Sequence, residues 1–259
     1  MSYYVRLDDH LFRPTEHAGG AWNPAEVHFS PLGGLLLHEM DLHRQAAGSS
    51  ALLSRVSFDI LGFLGTSDCE IRIETIRPGR TIELVEGTAL IDGRPVARAR
   101  AWFLAPYETT SVQGGAADPL PSPTALESAP MMTDRWTGGF VRSLDVRVVS
   151  APHPGRAIVW LSSDHRILDD ESIDQSASFV SLVDAANGIA VRERPTDWAF
   201  PNVDLTIHFH RQPTGRWVGL DTSVTFGPTG QGVTSTVLHD EHGAVGVANQ
   251  MLTVRPLRP

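Results

Sequence analysis

Between Val56 and Leu104 apolar and polar residues alternate, starting with Val56-Ser57-Phe58-Asp59-Ile60, and the same pattern returns from Val203 to Val254, starting with Val203-Asp204-Leu205-Thr206-Ile207. A period of two residues predicts strands with one face buried and the other turned to water. Each stretch runs through an alternating segment into a turn, Arg77-Pro78-Gly79 in one and Gly227-Pro228-Thr229-Gly230 in the other. A further strand, an acidic-Gly hairpin turn (Ile91-Asp92-Gly93-Arg94; Glu241-His242-Gly243-Ala244) and a last alternating strand follow in both. The landmarks recur about 147–150 positions apart, which predicts an internal duplication. At three aligned positions the first copy has Ser57, Thr75 and Arg100, where the second has Asp204, Thr225 and Gln250. A duplicated scaffold with one more polar copy predicts a single working site.

Helical spacing appears once before each stretch. Ser30-Pro31 reads as an N-cap with proline in the first turn, and Leu32, Leu35, Leu36 and Met40 continue an apolar stripe to about Ala47, after a short strand through Val27-His28-Phe29. The second helix is predicted from about Asp170 to Val191, opened by the acidic run Asp169-Asp170-Glu171 and carrying Phe179, Leu182, Val183, Ala186 and Ile189 on one face. The proline- and glycine-rich segment 108–130 has the composition of a linker. It divides the chain into an N-terminal repeat (1–107) and a C-terminal repeat (131–259). No βαβ alternation of the parallel-sheet kind is present, so the class is α+β, with antiparallel sheet wrapped around one helix in each repeat.

Composition narrows the chemistry. The chain has 259 residues, 41% of them hydrophobic, and a net charge of −9, which disfavours a nucleic-acid partner. All 21 basic residues are arginine, so no lysine base or Schiff base is available. The single cysteine, Cys69, cannot form an internal disulfide and has carboxylates near it, so it reads neither as a staple nor as a nucleophile. With no secretory start and no long apolar run, the expectation is a cytoplasmic protein that does not span a membrane. No Gly-x-Ser-x-Gly elbow and no His-Glu-x-x-His pattern occurs, which leaves neither a serine-hydrolase nor a metal reading, and no cofactor is expected.

Phe12-Arg13-Pro14-Thr15, Gly19-Gly20-Ala21-Trp22, and above all Asp204-Leu205-Thr206-Ile207-His208-Phe209-His210-Arg211 with Trp217 and Ala248-Asn249-Gln250 resemble the acyl-CoA thioesterase II (TesB-like) family of double-hotdog proteins. The resemblance spans nearly the whole chain. It implies a double hotdog fold and hydrolysis of an acyl-CoA thioester by water held by an aspartate, a hydroxyl residue and a glutamine. By motif position these are Asp204, Thr225 and Gln250. The acyl chain is expected between the two helices against Phe179, Leu182 and Val183, with Arg211 meeting the CoA phosphates and backbone N–H groups near Ser176 to Phe179 serving the oxyanion. Leu205 and His208 depart from the residues usual in the family, as do the neighbours of Thr225. Two alternatives stand beside this reading: a non-catalytic double hotdog that binds an acyl-thioester or hydrophobic metabolite, and, from Asp204 and His208, an enoyl-CoA hydratase-like hotdog. A homo-oligomer, most simply a dimer, is expected from the sheet pairing usual in such folds.

Overall fold

The computed structural model describes residues 1–257. Strands β1 (Ser2–Asp8) and β2 (Leu11–Pro14) precede helix α1 (Phe29–Ala46), which is followed by β3 (Leu52–Ile60), β4 (Cys69–Arg77), β5 (Ile82–Ile91) and β6 (Arg94–Leu104). The later part contains a short helix α2 (Gly139–Arg142), β7 (Leu144–His153), β8 (Arg156–Ser163), β9 (Arg166–Leu168), α3 (Gln175–Val183) and α4 (Ala186–Ile189). It closes with β10 (Trp198–Ala199), β11 (Asp204–Phe209), β12 (Val218–Phe226), β13 (Gln231–Asp240), β14 (Gly243–Thr253) and β15 (Arg255–Pro256). Strands β10 and β15 pair with each other, outside the main sheet.

The other thirteen strands form one sheet in the order β7, β8, β12, β13, β14, β11, β3, β6, β5, β4, β2, β1, β9. The two copies meet at β11 and β3, where Leu205 opposes Phe58 and Ile207 opposes Val56. That seam pairs two strands that would otherwise be sheet edges, and it makes one curved surface from two repeats. All neighbours are antiparallel except β1 and β9. Helix α1 lies against β4, β5 and β6, helices α3 and α4 against β12 and β13, and α1 packs directly on α3. The inward residues of the alternating strands and the helix stripes form one buried core.

Two helix boundaries differ from expectation. His28 rather than Ser30 caps α1, with Nδ1 accepting the Ser30 N–H at 3.1 Å, so Phe29 begins the helix and Val27 makes only an isolated bridge to Gly19. The acidic run 169–171 stays outside α3, whose N-cap is Asp174, because Glu171 is drawn into an ion pair with Arg6 on β1. The predicted single helix is also broken at Asp184 into α3 and α4. Segment 108–130 has only two short 3-10 turns and is held to the sheet by Trp160 Nε1 donating to Pro121 O and Arg147 donating to Pro123 O. Among the described residues no helix is long and apolar enough to cross a membrane.

Candidate active site

The break in the second helix creates the most unusual polar group in the molecule. Phe179, Val180 and Val183 anchor α3 in the core, and the turn that follows carries Asp184 inward, where it is only 4% exposed. Its Oδ1 accepts Asn202 Nδ2 at 2.7 Å and Gln250 Nε2 at 2.9 Å. Asn202 is placed just ahead of β11, and Gln250 lies on the inward face of β14. Among the described residues no arginine pairs with this carboxylate. His28 Nδ1 lies 3.8 Å from Oδ2, but its lone pair already receives the Ser30 N–H. Burial pushes the imidazole down to about 3, so His28 is neutral, with its proton on Nε2.

Burial likewise pushes the Asp184 carboxyl up to about 7. The Asn202 and Gln250 donors oppose that rise, while the negative charge of Asp204 adds to it. A carboxyl poised near neutrality inside a cavity has the character of a general base.

That cavity encloses about 300 Å³. Its lining includes Trp22, His28, Phe29, Ile60, Leu61 and Leu64 together with Asp184, Asn187 and Asn202. The first turn of α1 faces it. Ser30 N–H is capped by His28 and Pro31 has no N–H, so the Phe29 N–H, which makes no hydrogen bond among the described residues, is left as a donor. Beside the carboxylate, Gln250 Oε1 and the hydroxyl of its cross-strand partner Thr234 are buried without a hydrogen-bond partner among the described residues. The corresponding cross-strand pair of the first copy is Val85 with Ala101, both fully buried and apolar.

The structure therefore keeps Gln250 near a carboxylate but surrounds it differently from the sequence expectation. Asp204 is close by, yet its Oδ1 accepts the Met251 N–H at 2.6 Å at the sheet surface. Thr225 is exposed on β12, on the face away from Gln250. Two of the three aligned pairs, Arg100 with Gln250 and Thr75 with Thr225, are out of register by one residue. Arg100, aligned with buried Gln250, is outward and paired with Glu86, and Thr75, aligned with exposed Thr225, points inward to His43. A slip of one reverses the face of every side chain in a strand.

Phe179, Leu182 and Val183 are 2%, 5% and 0% exposed, and none lines the Asp184 cavity. Phe179 and Leu182 instead border a separate polar cavity of about 800 Å³, which includes Asp164, Asp169, Asp170 and Glu171. None of these carboxylates is as buried as Asp184. Arg211 holds buried Asp240 with two bonds of 2.6 and 2.7 Å and also donates to Gly243 O, so its guanidinium serves the β13–β14 hairpin. Ser176 lies at the N-terminal end of nine-residue α3, roughly 12 Å along the axis from Asp184, and its N–H is capped by Asp174. His208, the other half of the hydratase reading, is exposed.

Of the residues around the site, Asp184, Asn202 and His28 were missed in sequence. Asp184 had a signal: it is the one charged residue between Phe179 and Val191, in a mostly apolar run. At the opposite end of the helix pair, the related space is filled. Arg44 pairs with Asp41 at 2.5 Å and stacks on Phe103, leaving about 50 Å³. His38, Glu39 and Glu171 also converge, and Arg6 ties both carboxylates into an ion-pair network.

A sheet wrapped around a central helix, built twice and joined along one seam, is a double hotdog. Solved structures share it. A hot dog fold protein from Alicyclobacillus acidocaldarius matches at a TM-score of 0.74 with 14% identity, covering 96% of this chain and 95% of that one. An acyl-CoA thioesterase II, TesB2, from Mycobacterium marinum matches at 0.64 with 17% identity, covering 98% and 96%. The tesB protein of Mycobacterium avium subs paratuberculosis matches at 0.65 with 17% identity, with the same coverage. A sequence comparison with curated proteins finds no match. Residues 18–104 match the acyl-CoA thioesterase N-terminal domain and residues 123–254 the acyl-CoA thioesterase C-terminal domain. The chain thus belongs to the acyl-CoA thioesterase family and is a thioester hydrolase.

Proposed function

We propose that the protein hydrolyses acyl-CoA to the free acid and CoA with Asp184 as general base, in a site made by Asp184, Asn202, Gln250 and the first turn of α1. The observation that carries this reading is one buried carboxylate at the cavity wall whose Oδ1 is fixed by two side-chain amides while Oδ2 accepts no hydrogen bond among the described residues. Holding Oδ1 in this way orients the free lone pairs of Oδ2 toward a water, which is the positioning that general-base attack needs. Oδ2 takes one proton as the water oxygen bonds to the carbonyl carbon. The carbonyl oxygen then carries the charge, which the Phe29 N–H is placed to receive at the positive end of α1. Collapse of the adduct breaks the C–S bond, and the proton held by Asp184 passes to the departing thiolate. Asn202 and Gln250 orient the base, and Gln250 Oε1 and the Thr234 hydroxyl offer further polar contacts on the sheet side.

Asp204 acts here as a neighbour that helps keep Asp184 near neutrality, and Thr225 and Arg211 take no part in this reading. The deciding measurement is thiol release from a panel of acyl-CoAs by Asp184→Asn. Asparagine keeps an oxygen for both amide donors but cannot accept the proton, so kcat should fall by about 10²–10⁴ with the fold intact. A folded Asp184→Asn protein with wild-type turnover would rule out Asp184 as the base.

A further inference from the structure

The sequence expectation ran the acyl chain between the two helices, and the helices themselves deny that route. Asp184 ends α3 and His28 begins α1, so the site lies where these two helix ends meet. About one turn further in, the helices touch through small residues. A Cβ added at Gly34 would lie 2.5 Å from Ser181 Cβ, 2.8 Å from Ile167 Cδ1 and 3.1 Å from Ala177 O. That crossing has no space for a methylene chain.

Behind its rim the cavity is walled by aromatic and aliphatic side chains. Trp22 and Leu61 are its exposed rim, at 39% and 52%, while Phe29 and Leu64 are its buried wall, at 4% and 5%. The Phe29 ring rests edge-on against Phe58 with centroids 5.3 Å apart, and a Cβ at Gly33 would meet its edge at 3.2 Å. Phe58 is completely buried behind it. A methylene group fills about as much space as a water molecule, ~30 Å³. The cavity of about 300 Å³ must also hold the thioester group and the attacking water, which leaves room for a chain of roughly six carbons.

We infer that this enzyme selects short acyl groups, of about six carbons or fewer, and that Phe29, backed by Phe58 and by the Gly34 crossing, sets the limit. This rests on the thioesterase reading above. A pocket closed by a ring discriminates against each methylene that does not fit by about tenfold or more.

The test is kcat/KM for straight-chain acyl-CoAs from acetyl to palmitoyl, with wild type and with Phe29→Ala, Phe29→Leu and Leu64→Ala, each checked for cooperative melting. Wild type should peak at butanoyl- or hexanoyl-CoA and fall at least about tenfold by decanoyl. Phe29→Ala and Leu64→Ala should raise the decanoyl-to-butanoyl ratio by about tenfold, and Phe29→Leu by less. Equal or better turnover of dodecanoyl- or palmitoyl-CoA by wild type overturns the length limit and leaves the hydrolase reading standing. If Phe29→Ala and Leu64→Ala melt normally with an unchanged ratio, the assignment of the wall is wrong. Absence of turnover at every length defeats the function reading instead. In that case competition among S-alkyl-CoA thioethers reads the length limit directly: tightest binding by the longest chains overturns it, and tightest binding by short chains upholds it.

Discussion

At the scale of single residues, Asp184 is held against its own preference. Its carboxyl titrates near 7 inside the fold against about 3.9 in an unfolded chain. Because the folded value is the higher one, the group costs nothing below about pH 4, and its ionisation is an increasing burden as pH rises to about 7. The cost at pH 8 is on the order of 4 kcal/mol. Asp184→Asn should therefore melt at a higher temperature than wild type at pH 8 and show little gain at pH 4, while losing turnover; scanning calorimetry at both pH values checks this. Gain of stability with loss of rate is the mark of a strained catalytic group. Gln250→Ala should lower kcat by about 10-fold or more, since it frees Oδ1 from one of its two amides, whereas Thr225→Ala on the exposed face should leave kcat within about twofold. Steady-state kinetics of the two variants side by side would show whether the inward or the outward face of the sheet matters.

At the scale of elements, two contacts determine where the site residues stand. The α1–α3 crossing depends on Gly34, and Gly34→Val should cost about 1–3 kcal/mol because the facing Ser181 and Ala177 belong to the other helix and cannot move alone. Chemical denaturation measures this directly. The Arg211–Asp240 pair links the chain after β11 to the β13–β14 hairpin, and Asp240 is wholly buried. Arg211→Ala takes away that carboxylate's cation and leaves it only the Thr214 and His242 donors, so a loss of about 3 kcal/mol is expected, with KM for acyl-CoA nearly unchanged at a temperature where the variant stays folded. A large KM increase in that folded variant would return Arg211 to the phosphate role expected from sequence.

At the scale of the whole molecule, the duplication is asymmetric in chemistry. One end of the helix pair holds Asp184 with Asn202 and Gln250, and the other is filled by Arg44, Asp41 and Phe103. A single pH-dependent site follows. With a base that must be ionised, kcat should rise with pH through about 7 and then level off, in a single-ionisation curve. A pH–rate profile that stays flat from pH 5 to 9 would contradict the assignment of Asp184.

Much of this was readable before any coordinates. Alternation such as Val56-Ser57-Phe58 and its return at Val203 identified the strands, because burial of one face leaves a period of two in the sequence. The motif around His208-Phe209-His210-Arg211 led to the family, and Gln250 was picked out by the comparison of the two copies and by its motif position. Local pattern could not supply the register between copies, since a one-residue slip preserves alternation while exchanging faces, as Arg100 and Thr75 show. Nor could it show that an aspartate inside an apolar helix run would meet an amide 18 residues later and another 66 residues later. By itself the sequence determined the duplicated antiparallel scaffold and the class of chemistry. Only the tertiary structure decided which carboxylate is buried, what holds it and how deep the cavity runs, because burial and convergence are properties of packed neighbours that are far apart along the chain.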